Sequence, residues 1–315
     1  MQQKKILAIC YSQTGQLSQI AHNILAPLQA DDGVDVHVEY LKPVSPYPFP
    51  WPFFRFFDAF PESAHMIAPE LEPLGLSASD DFDLVIVFYQ VWFLAPSLPI
   101  TGFMKHPLAA KLLKDKPVVT VIGCRNMWLM AQEKMKTMLA DVGARLVDNV
   151  VLMDKANMAA TFITTPRWFL TGKKKGFWGM PDAGIPADDI AKTTRFGHAL
   201  LDGLNRNAHH APMLTGLAAV TANPHILVSE KAGTKSFYVW GKLLRMVGQP
   251  GSALRVPVLA VYFVFLLTLI VTVVPISLTI QRLVRPLLKN KLAALKAKFE
   301  QPSGSGTERM SLYDK

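Results

Sequence analysis

Apolar positions up to Met153 fall into five short runs separated by segments with helical spacing. Ile6 to Cys10 is continuously apolar, as in a strand buried on both faces. Val34 to Leu41 alternates through Val34, Val36, Val38 and Tyr40. Leu84 to Tyr89 is the strongest strand pattern and follows the polar lead-in Asp80-Asp81-Phe82-Asp83. Val118 to Ile122 follows Lys116-Pro117, and Leu146 to Met153 closes the series. Between these runs the period becomes helical. Leu17, Ile20, Ala21, Ile24 and Leu25 share one face, and the spacing predicts an amphipathic helix over 129–142 that ends at Gly143. Strand and helix alternating in this way predict an α/β fold, a doubly wound parallel five-stranded sheet with helices on both faces.

Beyond Asp154 the pattern changes. Met158 to Leu170 is largely apolar and is expected to break at Pro166. Ala187 to Asn205 reads as a further helix on the same domain, so the domain is expected to cover 1–205. Residues 206–255 read as linker and interfacial amphipathic region, with His209 and His210 in the linker. Val256 to Ile280 then runs without a charged side chain between Arg255 and Arg282. A bilayer span needs about 20 apolar residues. A transmembrane helix and a re-entrant or in-plane segment both fit, because basic residues flank the run on either side and a single span would violate the positive-inside tendency. A basic amphipathic helix is expected over 281–299 and a disordered tail over 300–315.

Composition sharpens this picture. The 315 residues are 50% hydrophobic with a formal net charge of +9. No base-reading motif accompanies the charge, so it points to anionic lipid rather than nucleic acid. Lys173-Lys174-Lys175 near Trp178 suits either a membrane interface or a solvated basic turn. The two cysteines, Cys10 and Cys124, end expected strands and have no metal-ligand spacing. No secretory signal is expected, because the first apolar run is only about five residues, and the domain is expected to stay in a reducing cytoplasm.

The candidate chemistry lies where expected strands end. Ligands of such sheets bind outside the carboxyl ends of the strands. Three loops converge there: Ser12-Gln13-Thr14-Gly15-Gln16-Leu17, Gln90 to Ser97, and Gly123 to Trp128. The first is a tight, hydroxyl-lined loop opening a helix, whose unsatisfied N–H groups and dipole favour a phosphate. Having a single glycine and no following lysine, it is neither a Walker A nor a dinucleotide motif. It resembles the flavodoxin loop that holds the phosphate of FMN, with Leu17 in place of that loop's last hydroxyl. The other loops add Gln90, Trp92, Phe93, Leu94, Gly123, Arg125, Asn126 and Trp128, aromatics and amides suited to a planar cofactor. Arg125 reads equally as partner of an anionic oxygen or as a cap on the crevice. The segment Pro43 to Phe57, dense in proline and aromatics, reads as a loop over the core, a pocket wall or a membrane-facing edge.

Residues 1 to about 205 resemble the flavodoxin-like dialkylresorcinol condensing enzymes, the aromatase partners of a ketosynthase in bacterial dialkylresorcinol and flexirubin-type pigment biosynthesis. The resemblance is carried by Tyr-Ser-Gln-Thr-Gly-Gln-Leu at 11–17, Pro-Tyr-Pro-Phe-Pro-Trp at 46–51, Phe-Pro-Glu-Ser at 60–63 and Trp-Phe-Leu-Ala-Pro-Ser at 92–97. It continues in Val-Ile-Gly-Cys-Arg-Asn-Met-Trp-Leu-Met-Ala-Gln-Glu-Lys at 121–134 and Leu-Thr-Gly-Lys-Lys at 170–174. It implies FMN as cofactor and oxidation of a 2,5-dialkylcyclohexane-1,3-dione to a dialkylresorcinol. For that reaction the candidate residues are Arg125 at the enolate oxygen and Tyr89 or His65 as base.

The implied partners are a lipophilic substrate, a membrane, a ketosynthase and a second copy of the chain. The implied location is the bacterial inner membrane, with the catalytic domain facing the cytoplasm. A membrane-anchored NAD(P)H:quinone oxidoreductase and a non-catalytic scaffold are the competing readings.

Overall fold

The structure is a computed structural model that describes residues 3–284 and 288–313, without the side chains of Met158, 273–275, 277, 278 and 280–284. Five parallel strands, β1 (Lys4–Cys10), β2 (Val34–Tyr40), β3 (Leu84–Trp92), β5 (Pro117–Cys124) and β6 (Arg145–Met153), lie in the order β2-β1-β3-β5-β6. This doubly wound order is the flavodoxin arrangement, whose ligand crevice opens where the winding reverses, between β1 and β3. Two residues, β4 (Ala95–Pro96), fold back antiparallel on the end of β3. Ile6 to Cys10 and Leu84 to Tyr89 are wholly buried, as continuous apolar runs in central strands require.

The helices are α1 (Gln16–Gln29), α2 (Phe53–Asp58), α3 (Phe60–Ala64), α4 (Leu98–Met104), α5 (Pro107–Leu113), α6 (Leu129–Asp141), α7 (Met158–Thr171), α8 (Ala187–Ala191), α9 (Thr194–Asn205), α10 (Leu227–Val247), α11 (Arg255–Val284) and α12 (Lys289–Glu300). The expected break at Pro166 does not occur, since α7 runs through it. In place of a free linker after 205, His209, Met213, Leu214, Leu217, Ala219 and Val220 are buried, and Val151 N–H donates to Ala219 O at 2.9 Å beyond the β6 edge. The part of the expected amphipathic helix at 285–287 lies outside the described residues.

The expectation of a disordered tail is corrected for 300–313. Ser303 is buried on β6, where its hydroxyl donates to Asp148 Oδ1 (2.6 Å) and accepts from Asn149 N (2.8 Å). Glu300 Oε1 accepts from Ala222 N, Val220 N donates to Gly304 O, and Tyr313 donates to Asp202. A polar composition suggests solvation, but here each polar group meets a partner far away in the chain. Residues 314 and 315 lie outside the described residues.

Two buried carboxylates stitch these additions to the domain. Asp148 accepts from Met213 N, Leu214 N and Ser303, while Glu230 of α10 accepts from Leu129 N (3.3 Å) and Met130 N (2.8 Å). Glu230 thereby caps α6, whose own N-cap residue, Trp128, supplies no side-chain bond. Burial pushes Asp148 up to about 6 and Glu230 up to about 7, against the opposing pull of those hydrogen bonds. Both folded-state values exceed the unfolded ones, so the native state binds more protons between about pH 4 and 7. The stability they confer is therefore present in acid and lost as pH rises through 6 and 7. Each contributes about 3 kcal/mol, because every tenfold gain in proton affinity on folding is worth roughly 1.4 kcal/mol. Thermal melts from pH 5 to pH 8 should show a fall in stability that the Asp148→Asn, Glu230→Gln double variant largely lacks. Parallel profiles for the two proteins would refute it.

Candidate functional site

At the carboxyl ends of the strands a cleft opens. It is walled by Thr14, Gln16 and Leu17 after β1, by Gln90, Val91 and Trp92 at the end of β3, and by Gly123, Cys124 and Arg125 at the end of β5. Asp154, directly after β6, joins them, and α7 closes the far side with Thr165, Trp168 and Phe169. Gly184 and Ile185 complete the rim.

The loop into α1 turns sharply at a glycine and leaves the first helical amides on the cleft side. Gly15 takes the left-handed conformation (φ 82°) that lets the chain turn into the helix, and a Cβ there would meet nothing within 4 Å. Gly15 supplies no side-chain cap, and Ser12 Oγ accepts from Ser18 N at 3.3 Å. The remaining first-turn amides are available to a phosphate. Gln13 braces this loop against the proline-rich segment: its amide donates to Tyr47 O and Pro48 O and accepts from the Tyr11 hydroxyl. Gln16 is turned to the rim, bonded to Ile185 O at 2.9 Å. Ser12, Gln13 and Gly15 thus shape the loop, while Thr14, Gln16 and Leu17 face the cleft.

Two buried polar atoms on the cleft walls, Arg125 Nε and Thr165 Oγ1, have no partner among the described residues. A buried polar atom without a partner costs about 1–3 kcal/mol, and two of the nine such atoms among the described residues belong to residues that line this cleft. The Arg125 guanidinium sits 4.0 Å over the Phe162 ring; burial lowers its pKa and the Asp154 carboxylate opposes that shift. Asp154 itself is pinned by Ala156 N and Gly184 N, both at 2.9 Å. The residues present therefore fit a phosphate-bearing, planar aromatic cofactor. The space in the cleft is about 110 Å³, below the roughly 300–1,000 Å³ of small-molecule sites, so a whole cofactor needs a wider cleft than this one.

Several sequence-derived candidates sit elsewhere. Tyr89 is fully buried and its hydroxyl donates to Gln132 Oε1 at 2.6 Å, while Gln132 bonds Thr120; burial raises its pKa well above the usual phenol value. It is a core strut rather than a base. His65 ends α3, stacks on Tyr238 (4.3 Å between centroids) and bonds Tyr238 O, tying α3 to α10 instead of entering the cleft. Trp128 is buried in the main core at the start of α6, and Asn126 is absent from the cleft wall. Phe93 and Leu94 occupy the two turn positions between β3 and β4 with φ of 47° and 61°. That turn usually takes Asn-Gly, and bulky residues there cost of order 1–3 kcal/mol each. The turn directs Phe93 away from the cleft, against Phe56, Phe60 and Phe237.

Residues the sequence reading missed are Asp154, Thr165, Trp168, Phe169, Gly184 and Ile185. Asp154 carried a usable signal, since it is the first residue beyond a parallel strand. Tyr89→Phe and His65→Gln are expected to spare turnover, without the 10²–10⁴-fold loss that removing a general base brings. A loss of that size in steady-state kcat would reinstate either residue.

Neither a scan of protein-family models nor a search of curated proteins returns a match. Solved structures do match in part. A flavoprotein from Lactobacillus acidophilus NCFM, in complex with FMN, is 16% identical, covers 47% of this chain and 93% of its own, with a TM-score of 0.38. A putative flavoprotein from Bacteroides eggerthii is 18% identical over 47% of this chain and 87% of its own, with a TM-score of 0.35. Oxidised flavodoxin 1 from Bacillus cereus is 12% identical over 63% of this chain and 98% of its own, also with a TM-score of 0.35.

Proposed function

We propose that this protein is an FMN-dependent oxidoreductase that aromatises a 2,5-dialkylcyclohexane-1,3-dione to a dialkylresorcinol at a membrane. One observation carries the reading: the start of α1, where the N-cap residue Gly15 has no side chain to cap the helix, shares a single aromatic cleft with Arg125 and Thr165, each of which carries a buried polar atom without a partner among the described residues. Thr14 and the α1 amides would hold the phosphate, and Trp92, Trp168 and Phe169 would flank the ring. Bound there, FMN supplies the two-electron acceptor for a hydride leaving the substrate ring.

The remaining work falls to the chain. Arg125 holds the enolate oxygen of the acidic dione, with Phe162 fixing the guanidinium plane. Asp154 takes the place that the sequence reading gave to Tyr89 or His65, because it is the carboxylate residue among those that line the cleft. It accepts the ring proton as the hydride departs, and the loss of one hydride and one proton leaves the aromatic diol.

The alkyl tails also have a route. Trp92 touches Trp51 (5.7 Å), Trp51 touches Phe56 (5.8 Å), and Phe56 stacks on Phe169 of the cleft. Phe56 meets Phe57, which meets Phe263 of α11 at 5.2 Å. An unbroken aromatic seam thus joins the cleft to the most apolar helix of the chain. A ketosynthase delivering the dione is the partner this reaction calls for.

The test is anaerobic addition of a 2,5-dialkylcyclohexane-1,3-dione to the FMN-loaded, detergent-purified protein. Bleaching of the flavin band as resorcinol forms is the expected result. A flavin that stays oxidised with the dione but bleaches with NAD(P)H would replace this reading with a quinone reductase. Protein that takes up no FMN would leave only a scaffold.

A further inference from the structure

Helix α11 is apolar enough to cross a membrane by length and composition: its first 18 residues, Arg255–Thr272, have a mean hydropathy of 2.2. What the chain does on either side of it decides whether it crosses.

On the near side, α11 does not leave the domain at its first residue. Arg255, Leu259 and Tyr262 are buried and Leu266 is partly so, an i, i+4, i+7, i+11 stripe laid against Phe60, Phe237 and Trp240. From Leu267 the uncharged run continues only to Ile280, about 21 Å of helix at 1.5 Å per residue, short of the roughly 30 Å hydrocarbon core.

On the far side, the chain comes back. Ser303 is buried on Asp148 of β6, Gly304 and Gly306 accept from Val220 N and Ala218 N, and Arg309 donates to Met213 O and Thr215 O. These partners belong to the same α/β domain that holds Arg255. Among the described residues the only helix between, α12, has 12 residues, four of them lysine, and cannot recross a bilayer. From Val284 to Glu300 the chain reaches about 35 Å at most, taking ~3.6 Å per extended and ~1.5 Å per helical residue. A full bilayer is about 40–45 Å thick. A tail docked on the domain and a spanning α11 exclude each other.

We propose that α11 is monotopic: it lies in the one leaflet that faces the α/β domain, with both of its flanks on that domain's side. The partner is an anionic lipid surface. Val261, Val264, Phe265, Leu267, Val271 and Ile276 present apolar surface to it. Exposed basic and aromatic groups that suit such a surface lie on the loop after α7 and on the chain after α11. Lys173 and Lys175 are exposed beside Trp178, which is 93% exposed, on the loop after α7, and Phe169 of α7 packs on Phe56 of α2. Lys289 and Lys291 are exposed just past α11. This geometry deepens the proposed function, since the aromatic seam then opens to the leaflet from which a lipophilic dione would come.

The test reads topology alone, so it is independent of flavin and substrate. Full-length Gln249→Cys, Thr307→Cys and Asp32→Cys variants, all at exposed positions, are expressed in bacteria. A membrane-impermeant maleimide is applied to sealed inverted and right-side-out membrane vesicles. The parent protein, with its buried Cys10 and its Cys124, sets the baseline. The expected result is that all three sites label from the same face and are protected from the other. Labelling of Thr307→Cys from the face opposite Asp32→Cys would overturn the proposal, as would recovery of the protein outside the membrane fraction. Failure of the dione assay with same-face labelling would remove the aromatase reading and leave this topology standing.

Discussion

Replacing Thr14 by valine together with Gly15 by alanine lowers FMN affinity by about 10²–10⁴-fold. Thr14 brings a hydroxyl to the cleft wall, and Gly15 sets the turn that brings the α1 amides to the same place. Hydrogen bonds to a charged group are worth about 1.5–3 kcal/mol each. Losing the hydroxyl and misdirecting one amide removes two of them, at roughly tenfold per 1.4 kcal/mol. The fold should survive, because a Cβ on Gly15 meets no neighbour within 4 Å and the left-handed conformation costs an alanine only about 1–2 kcal/mol. The measurement is a fluorescence titration of apoprotein with FMN, alongside a thermal melt. Undiminished flavin binding in a folded double variant would show that the phosphate lies elsewhere.

That loop could be read from sequence because its chemistry is local. A buried parallel strand is a continuous apolar run, and a helix period beginning at Leu17, seven residues after Cys10, fixes the turn between them. The same holds for Leu84–Tyr89 and Val118–Ile122, whose ends place Gln90, Trp92, Gly123 and Arg125 on the cleft. Residues brought in from a distance were not legible. Trp168 and Phe169 wall the cleft only because α7 returns over it, and Trp51 N donating to Phe169 O is a contact between segments more than 100 residues apart. Phe93 and Leu94 hid their turn because neither is the Asn or Gly that announces a left-handed position.

Polarity misled in both directions. Tyr89 looked like an available hydroxyl at a strand end, but Gln132 of α6 and Thr120 of β5 form a closed network with it between the sheet and α6. The tail from Gln301 looked like solvent-loving chain, yet Ser303 and Glu300 satisfy buried groups on β6 and the segment after α9. Composition measures what a residue prefers on average, whereas a buried polar group is decided by one partner.

The largest effect on stability is expected at Arg255. Its side chain is 1% exposed at the start of α11. Nη1 donates to Asp58 Oδ1 (3.1 Å) and Glu62 Oε2 (3.2 Å), Nη2 to Glu62 Oε1 (2.8 Å), and Nε to Gly248 O (2.8 Å). Asp58 also accepts from Gly251 N, so the cation clamps α2, α3 and the α10–α11 turn around one point. Arg255→Met leaves the nearly buried Asp58 and Glu62 carboxylates with only the part-exposed Arg245, 4.0 Å from Glu62, as counter-charge, a change that costs about 3–5 kcal/mol. The α/β core does not depend on this clamp, so the loss should be local. Hydrogen exchange should speed up in α2, α3 and α10 while β1, β3 and β5 stay protected. Replacing all three, Arg255→Met with Asp58→Leu and Glu62→Met, removes the stranded charges and should restore most of the protection, since a well-packed apolar substitute for a buried ion cluster is often neutral or stabilising. Unchanged exchange in the single variant would show that α11 is held by its Leu259–Tyr262 stripe alone. A triple variant as unstable as the single one would show that the cost lies in lost packing rather than in unpaired charge.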